Sequence, residues 1–164
     1  MERELQELGR DRDDAMRADD PRRGETGEGR PARPCSVRDM TPQELGARGE
    51  EMAANYLERK GWELLERNWR CGFGEVDIIA REEEFSDTVV LVEVKTRLAL
   101  GGREGMPELA VDEAKRERYR MCALAYLMQH GEARSIRFDV IALNVMGEGG
   151  ARLRHLFGAY SMDS

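Results

Sequence analysis

Residues 74 to 97 constrain this chain most. They read Gly-Glu-Val-Asp-Ile-Ile at 74 to 79 and Val-Val-Leu-Val-Glu-Val-Lys-Thr-Arg at 89 to 97, with a polar connection between. Apolar runs this strong predict buried strands. Yet Asp77, Glu93 and Lys95 sit inside them. Alternation along a strand puts Glu93 and Lys95 on one face, roughly 7 Å apart. Charges in the middle of a sheet cost several kcal/mol unless they are paired or hold a metal. An Asp on one strand with Glu-x-Lys on the next can hold a divalent cation beside a lysine, the chemistry of metal-dependent phosphodiester cleavage. The competing reading is a structural Glu93–Lys95 ion pair.

The remaining elements fall around these strands. Thr41-Pro42-Gln43-Glu44 opens a helix: Thr41 serves as N-cap, Pro42 fits the first helical position and Glu44 completes a capping box. It is expected to run to about Lys60 and stop at Gly61, with Leu45, Met52, Ala53, Tyr56 and Leu57 buried. Gly46, Gly49 and Ala53 are small enough to let this helix approach the sheet closely. Trp62 to Arg70 reads as a first strand, Cys71 to Gly74 as a turn, Glu75 to Arg81 as a second strand, and Thr88 to Thr96 as a central third. Leu98 to Pro107 is Gly-rich and expected to be mobile. Asp112 to His130 is a second helix with Tyr119, Cys122, Ala123, Tyr126 and Leu127 on its core face. Ser135 to Leu143 alternates as a fourth strand, and Ala151 to Phe157 is expected to be an edge-like fifth. The predicted order is α-β-β-β-α-β-β, an α/β domain with a mixed central sheet flanked by helices.

Residues 1 to 40 contain no aromatic residue and no Ile, and they are rich in Arg, Asp, Glu, Gly and Pro. Such a segment cannot bury enough surface to offset its ordering entropy. It is read as a disordered extension, with at most a frayed helix near Glu2 to Ala18, and residues 41 to 164 as the domain. No apolar run approaches the roughly 20 residues needed to span a bilayer, and no secretory signal is visible. A cytoplasmic location is therefore expected. The three cysteines, Cys35, Cys71 and Cys122, show neither zinc spacing nor a disulfide framework and read as reduced, structural thiols. The net charge of −7 argues against bulk electrostatic coating of nucleic acid but permits a local basic groove.

Around the central motif, Glu75 lies two residues before Asp77 and is either a further metal ligand, a group that supports one, or a cap of the preceding turn. Glu50 projects from the first helix, either toward the same cluster or into solvent. On the nuclease reading, Asp77 and Glu93 hold Mg²⁺ or Mn²⁺ and Lys95 acts on water and phosphate. Arg70, Arg97, Arg103, Lys115 and Arg116 are candidates for backbone phosphates. Lys115 leads them because it lies at the start of the second helix.

Several motifs together carry a resemblance. They are Leu-Gly-x-x-Gly-Glu-x-x-Ala-x-x-Tyr-Leu at 45 to 57, Arg-Asn-Trp-Arg at 67 to 70, Gly-Glu-Val-Asp-Ile-Ile at 74 to 79, Val-Glu-Val-Lys-Thr-Arg at 92 to 97, Lys115, and Arg-Phe-Asp-Val at 137 to 140. In order and spacing the chain resembles the YraN-like family of bacterial proteins over about residues 45 to 160. That family looks like a branch of the PD-(D/E)xK nuclease superfamily. The resemblance implies a restriction-endonuclease-like αβββαβ core, with Asp77, Glu93 and Lys95 matching the catalytic acids and lysine. Glu50 matches the helix acid of resolvase-like members. The expected function is a Mg²⁺- or Mn²⁺-dependent endonuclease acting on structured or branched DNA in repair or recombination, and resolvase-like activity would require a symmetric homodimer. The Gly-Gly-Arg-Glu-Gly stretch at 101 to 105 and residues 1 to 40 depart from the pattern. The rival expectation is a non-catalytic nucleic-acid-binding or scaffolding protein on the same fold.

Overall fold

The computed structural model describes residues 12–17, 36–85, 87–99, 113–131, 133–146 and 150–160. Helix α1 spans Pro42–Arg59 and starts as its sequence dictates. Thr41 accepts from the Glu44 N–H at 3.2 Å, while the Glu44 carboxylate accepts from the Thr41 N–H at 2.7 Å. Gly61 ends it in the left-handed region at φ 82°. Strands β2 (Glu63–Cys71), β3 (Gly74–Arg81) and β4 (Thr88–Ala99) form an antiparallel meander. Helix α2 (Glu113–Gln129) then carries the chain to β5 (Ser135–Met146), which pairs in parallel with β4, and β6 (Gly150–Tyr160) returns antiparallel to β5. These five strands belong to one mixed sheet, six-stranded with the addition described below, and the two helices flank it, the architecture of a restriction-endonuclease-like core.

Alternation on β4 explains why one strand serves two layers. Val90 and Val92 pack with Ala53, Leu57 and Trp62 under α1. Val89 and Leu91 pack with Tyr119, Cys122, Ala123 and Tyr126 under α2. All four valines and leucines are essentially inaccessible, so the run carries no polar alternation.

Three expectations are corrected. Arg12–Arg17 forms a strand, β1, pairing antiparallel with β6, where the sequence predicts disorder or a frayed helix. Apolar content predicts who supplies a core; a border strand needs only backbone hydrogen bonds. For the same reason β6 is not an edge: it lies between β1 and β5. Finally, β5 is buried on both faces from Phe138 to Val145, so its apparent alternation understates its burial. The Leu98 to Pro107 stretch begins as the end of β4, through Ala99, and continues outside the described residues.

Candidate active site

The site forms where β3 parts from β4. The two strands pair from Ile78–Val92 to Arg81–Val89 and no further. At the parting, Asp77 replaces a backbone rung: its Oδ2 accepts the Val94 N–H at 2.7 Å. The neighbouring β2–β3 ladder keeps its register at this level, its shift lying further along at Leu64/Glu66. Arg67 pairs with Ile78 and Trp69 with Val76, leaving Asn68 opposite Asp77 between these rungs. Asn68 has φ 50°, in the left-handed region that Asn tolerates. Across this point the strand faces exchange. Ile78 packs under α1, whereas Val76 and Trp69 pack under α2. Asp77 is therefore turned sideways, toward β4. Glu75 does not simply share its face, as strict alternation predicts.

Glu93 follows alternation and lies on the α2 side, buried at 5% exposure. Its Oε1 is paired with the Lys115 ammonium. Lys95 is half-buried on the same face of β4. Glu50 comes from α1, which is held close to the sheet at Gly49. A Cβ there would lie 1.8 Å from the Thr96 hydroxyl on β4. Gly49 is thus the small residue that the approach requires, whereas Gly46 faces open space.

The electrostatics tie these acids together. Burial pushes the Asp77 carboxyl up, the Val94 N–H pulls it partly back, and the carboxylates of Glu50, Glu93 and Glu75 raise it further, to about 6. Four hard oxygen donors that repel one another match the needs of Mg²⁺ or Mn²⁺. As they lie, no three Asp, Glu, His or Cys side chains among the described residues are gathered closely enough to clasp an ion. Lys115 sits on one of the acids instead.

The candidate phosphate contacts are scattered. Arg70 reaches Glu75 at 2.9 Å, so Glu75 carries a cation of its own. Arg97 and Arg116 are exposed. Arg116 borders a shallow hollow with Glu113, Glu117 and Arg120 on α2. Lys115 faces Glu93, where the sequence suggested an open phosphate site. Arg103 lies outside the described residues. Glu51, beside Glu50 on α1, is exposed and pairs with Arg67 at 2.8 Å.

Sequence reasoning missed a second buried acid. Asp139 on β5 accepts from Arg137 Nε and Nη2 at 2.9 and 3.0 Å, and from the Gly158 N–H at 2.9 Å. It lies 3.0 Å from His155 Nε2. The signal was present: Arg137-x-Asp139 is the same charged i, i+2 pattern, on a strand, as Glu93-x-Lys95.

A mixed sheet of this strand order, flanked by α1 on one face and α2 on the other, places the protein in the restriction-endonuclease-like fold class. The comparisons narrow this. The model of the uncharacterised protein family UPF0102 matches residues 49–143, and the chain belongs to that family. It is 43% identical to a UPF0102 protein of Geobacter sulfurreducens over 119 residues, covering 72% of this chain and 89% of that protein. It is 45% identical to one of Beutenbergia cavernae over 115 residues, covering 70% and 93%. To one of Nocardia farcinica it is 49% identical over 102 residues, covering 62% and 76%.

Proposed function

We propose that this protein is a Mg²⁺- or Mn²⁺-dependent endonuclease that hydrolyses phosphodiester bonds in structured or branched DNA, in repair or recombination. The observation that carries the reading is Asp77, turned into the gap between β3 and β4 and raised by Glu50, Glu93 and Glu75. Asp77 and Glu93, with Glu50 and Glu75 at hand, would hold the ion. Once bound, the ion supplies phosphoryl polarisation and a water of lowered pKa. Lys95, two residues along the face of Glu93, orients that water and stabilises charge developing on the phosphate. Arg97 and Arg116 supply exposed positive charge for the backbone. On this reading residues 41 to 164 form the working domain, the location is cytoplasmic, and paired cuts require a symmetric homodimer. No helix among the described residues is long and apolar enough to cross a membrane.

A non-catalytic nucleic-acid-binding protein is the second reading. Two observations favour it: the Lys115–Glu93 pair, which already neutralises a required acid, and the net charge of −7. One assay separates the two. Purified protein is incubated with branched, flapped and linear DNA, and with structured RNA, in Mg²⁺ or Mn²⁺. Cleavage that Lys95→Ala lowers by roughly 10²–10⁴-fold is expected for the enzyme. Binding without cutting, in buffer where a control nuclease cuts, supports the second reading and removes the first.

A further inference from the structure

Cys71 and Cys122 are 51 residues apart in sequence, yet their sulfurs lie 3.5 Å apart. Cys71 ends β2, half-buried beside the Gly72–Phe73 turn, and Cys122 is buried in α2 at 1% exposure. Both are free thiols. A disulfide needs its sulfurs at about 2.05 Å, so closure asks for a movement of only about 1.5 Å. We propose that Cys71 and Cys122 form a thiol-oxidation site: a small disulfide oxidant enters at Cys71, and the pair closes into a disulfide joining β2 to α2.

The two cysteines have different roles because their surroundings differ. Burial, with Cys71 alongside, pushes the Cys122 thiol up to about 12. Cys122 is thus a protonated thiol that solvent does not reach, and it cannot make the first attack. Cys71 is the reachable sulfur. With glutathione disulfide as oxidant, the Cys71 thiolate attacks one glutathione sulfur. The glutathione S–S bond breaks and one glutathione leaves as thiolate. Cys122 then attacks the Cys71 sulfur of the mixed disulfide, and its proton passes to the second departing glutathione. Two protein thiols are oxidised and one glutathione disulfide is reduced to two thiols.

The cross-link would sit next to the proposed active site without depending on it. Gly74, the first residue of β3, lies against this pair: a Cβ there would be 3.7 Å from the Cys122 sulfur and 2.9 Å from the Arg118 side chain. β3 runs from this point to Asp77, and α2 carries Lys115.

The test uses the full chain, incubated with excess glutathione disulfide. Free thiols are then alkylated and the non-reduced digest is mapped by mass spectrometry. A Cys71–Cys122 peptide with two hydrogens lost is expected, in the wild type and equally in Cys35→Ser. Cys122→Ser is expected to stop at a glutathione adduct on Cys71, and Cys71→Ser to leave Cys122 unmodified under native conditions. The oxidised wild type is expected to melt several degrees higher than the reduced form. Protein that stays reduced, or carries only glutathione adducts or links to Cys35, overturns the proposal. The wild-type map decides alone if a variant fails to fold.

Discussion

Asp77 and Asp139 lie on β3 and β5 of one sheet, on either side of β4, and they titrate in opposite directions. Burial pushes both carboxyls up. At Asp139, hydrogen bonds from His155 and Arg137, and the charge of Arg137, outweigh burial and hold it below the usual range. At Asp77 only the Val94 N–H opposes the rise, and three carboxylates reinforce it. The protein has completed Asp139 with its own cations: Arg137 also reaches Glu82 at 3.3 Å and lies against the rings of Trp62 and Phe157 at 5.3 and 5.4 Å. It has not done so at Asp77. A satisfied buried acid is architecture, and one left facing other acids is where an external cation would gain most.

The largest effect expected from this contrast is on stability, with opposite signs. Asp139→Ala removes the acceptor shared by Arg137, the buried His155 and the Gly158 N–H, and is expected to lose about 3–5 kcal/mol in urea denaturation. Asp77→Asn is expected to stabilise the metal-free protein at pH 7 by on the order of 2 kcal/mol, because it removes the ionised form that the site disfavours. Equal losses at both positions would erase the distinction.

Lys115 tests whether Glu93 is partly completed in the same way as Asp139. Lys115→Met is expected to tighten Mn²⁺ binding about tenfold, read by calorimetry in the absence of nucleic acid. Arg116→Met, one residue along and exposed, is expected to change it less. Unchanged affinity in Lys115→Met would mean that Lys115 does not compete with the ion.

The pH profile follows from the two shifts. The folded-state pKa of Asp77, about 6, exceeds that of an unfolded aspartate near 4. Folded protein therefore binds more protons between these values, and stability falls as pH rises through about 4 to 6. Asp139 acts the other way. Its contribution is complete above the ordinary carboxylate range and is lost as pH falls through its lowered value. Metal-free wild type is expected to show both slopes in thermal melts, and Asp77→Asn only the acid-side loss.

The smallest effect concerns the backbone that turns Asp77. Asn68→Gly keeps the left-handed conformation and is expected to be nearly neutral. Asn68→Val forces a β-branched residue into it and is expected to cost about 1–2 kcal/mol and to weaken Mn²⁺ binding. Equal tolerance of both would show that Asp77 is oriented without Asn68.

Much of this was legible from local chemistry. The capping box and Gly61 delimit α1, and the unbroken Val-Val-Leu-Val run marks β4 as central, because these signals act over a few residues. The acids and the lysine were legible too, since a charge inside such a run needs a reason. The close approach of α1 was legible from its small residues, though not that Gly49 meets Thr96. Three features depended on partners distant in sequence. The exchange of strand faces at Asn68 and Asp77, the capture of Glu93 by Lys115 and the meeting of Cys71 with Cys122 each join segments that no periodicity relates. A strand's residue types state which side chains must be buried or paired. Only the packing of helices on both faces of the sheet decides which partner each one meets.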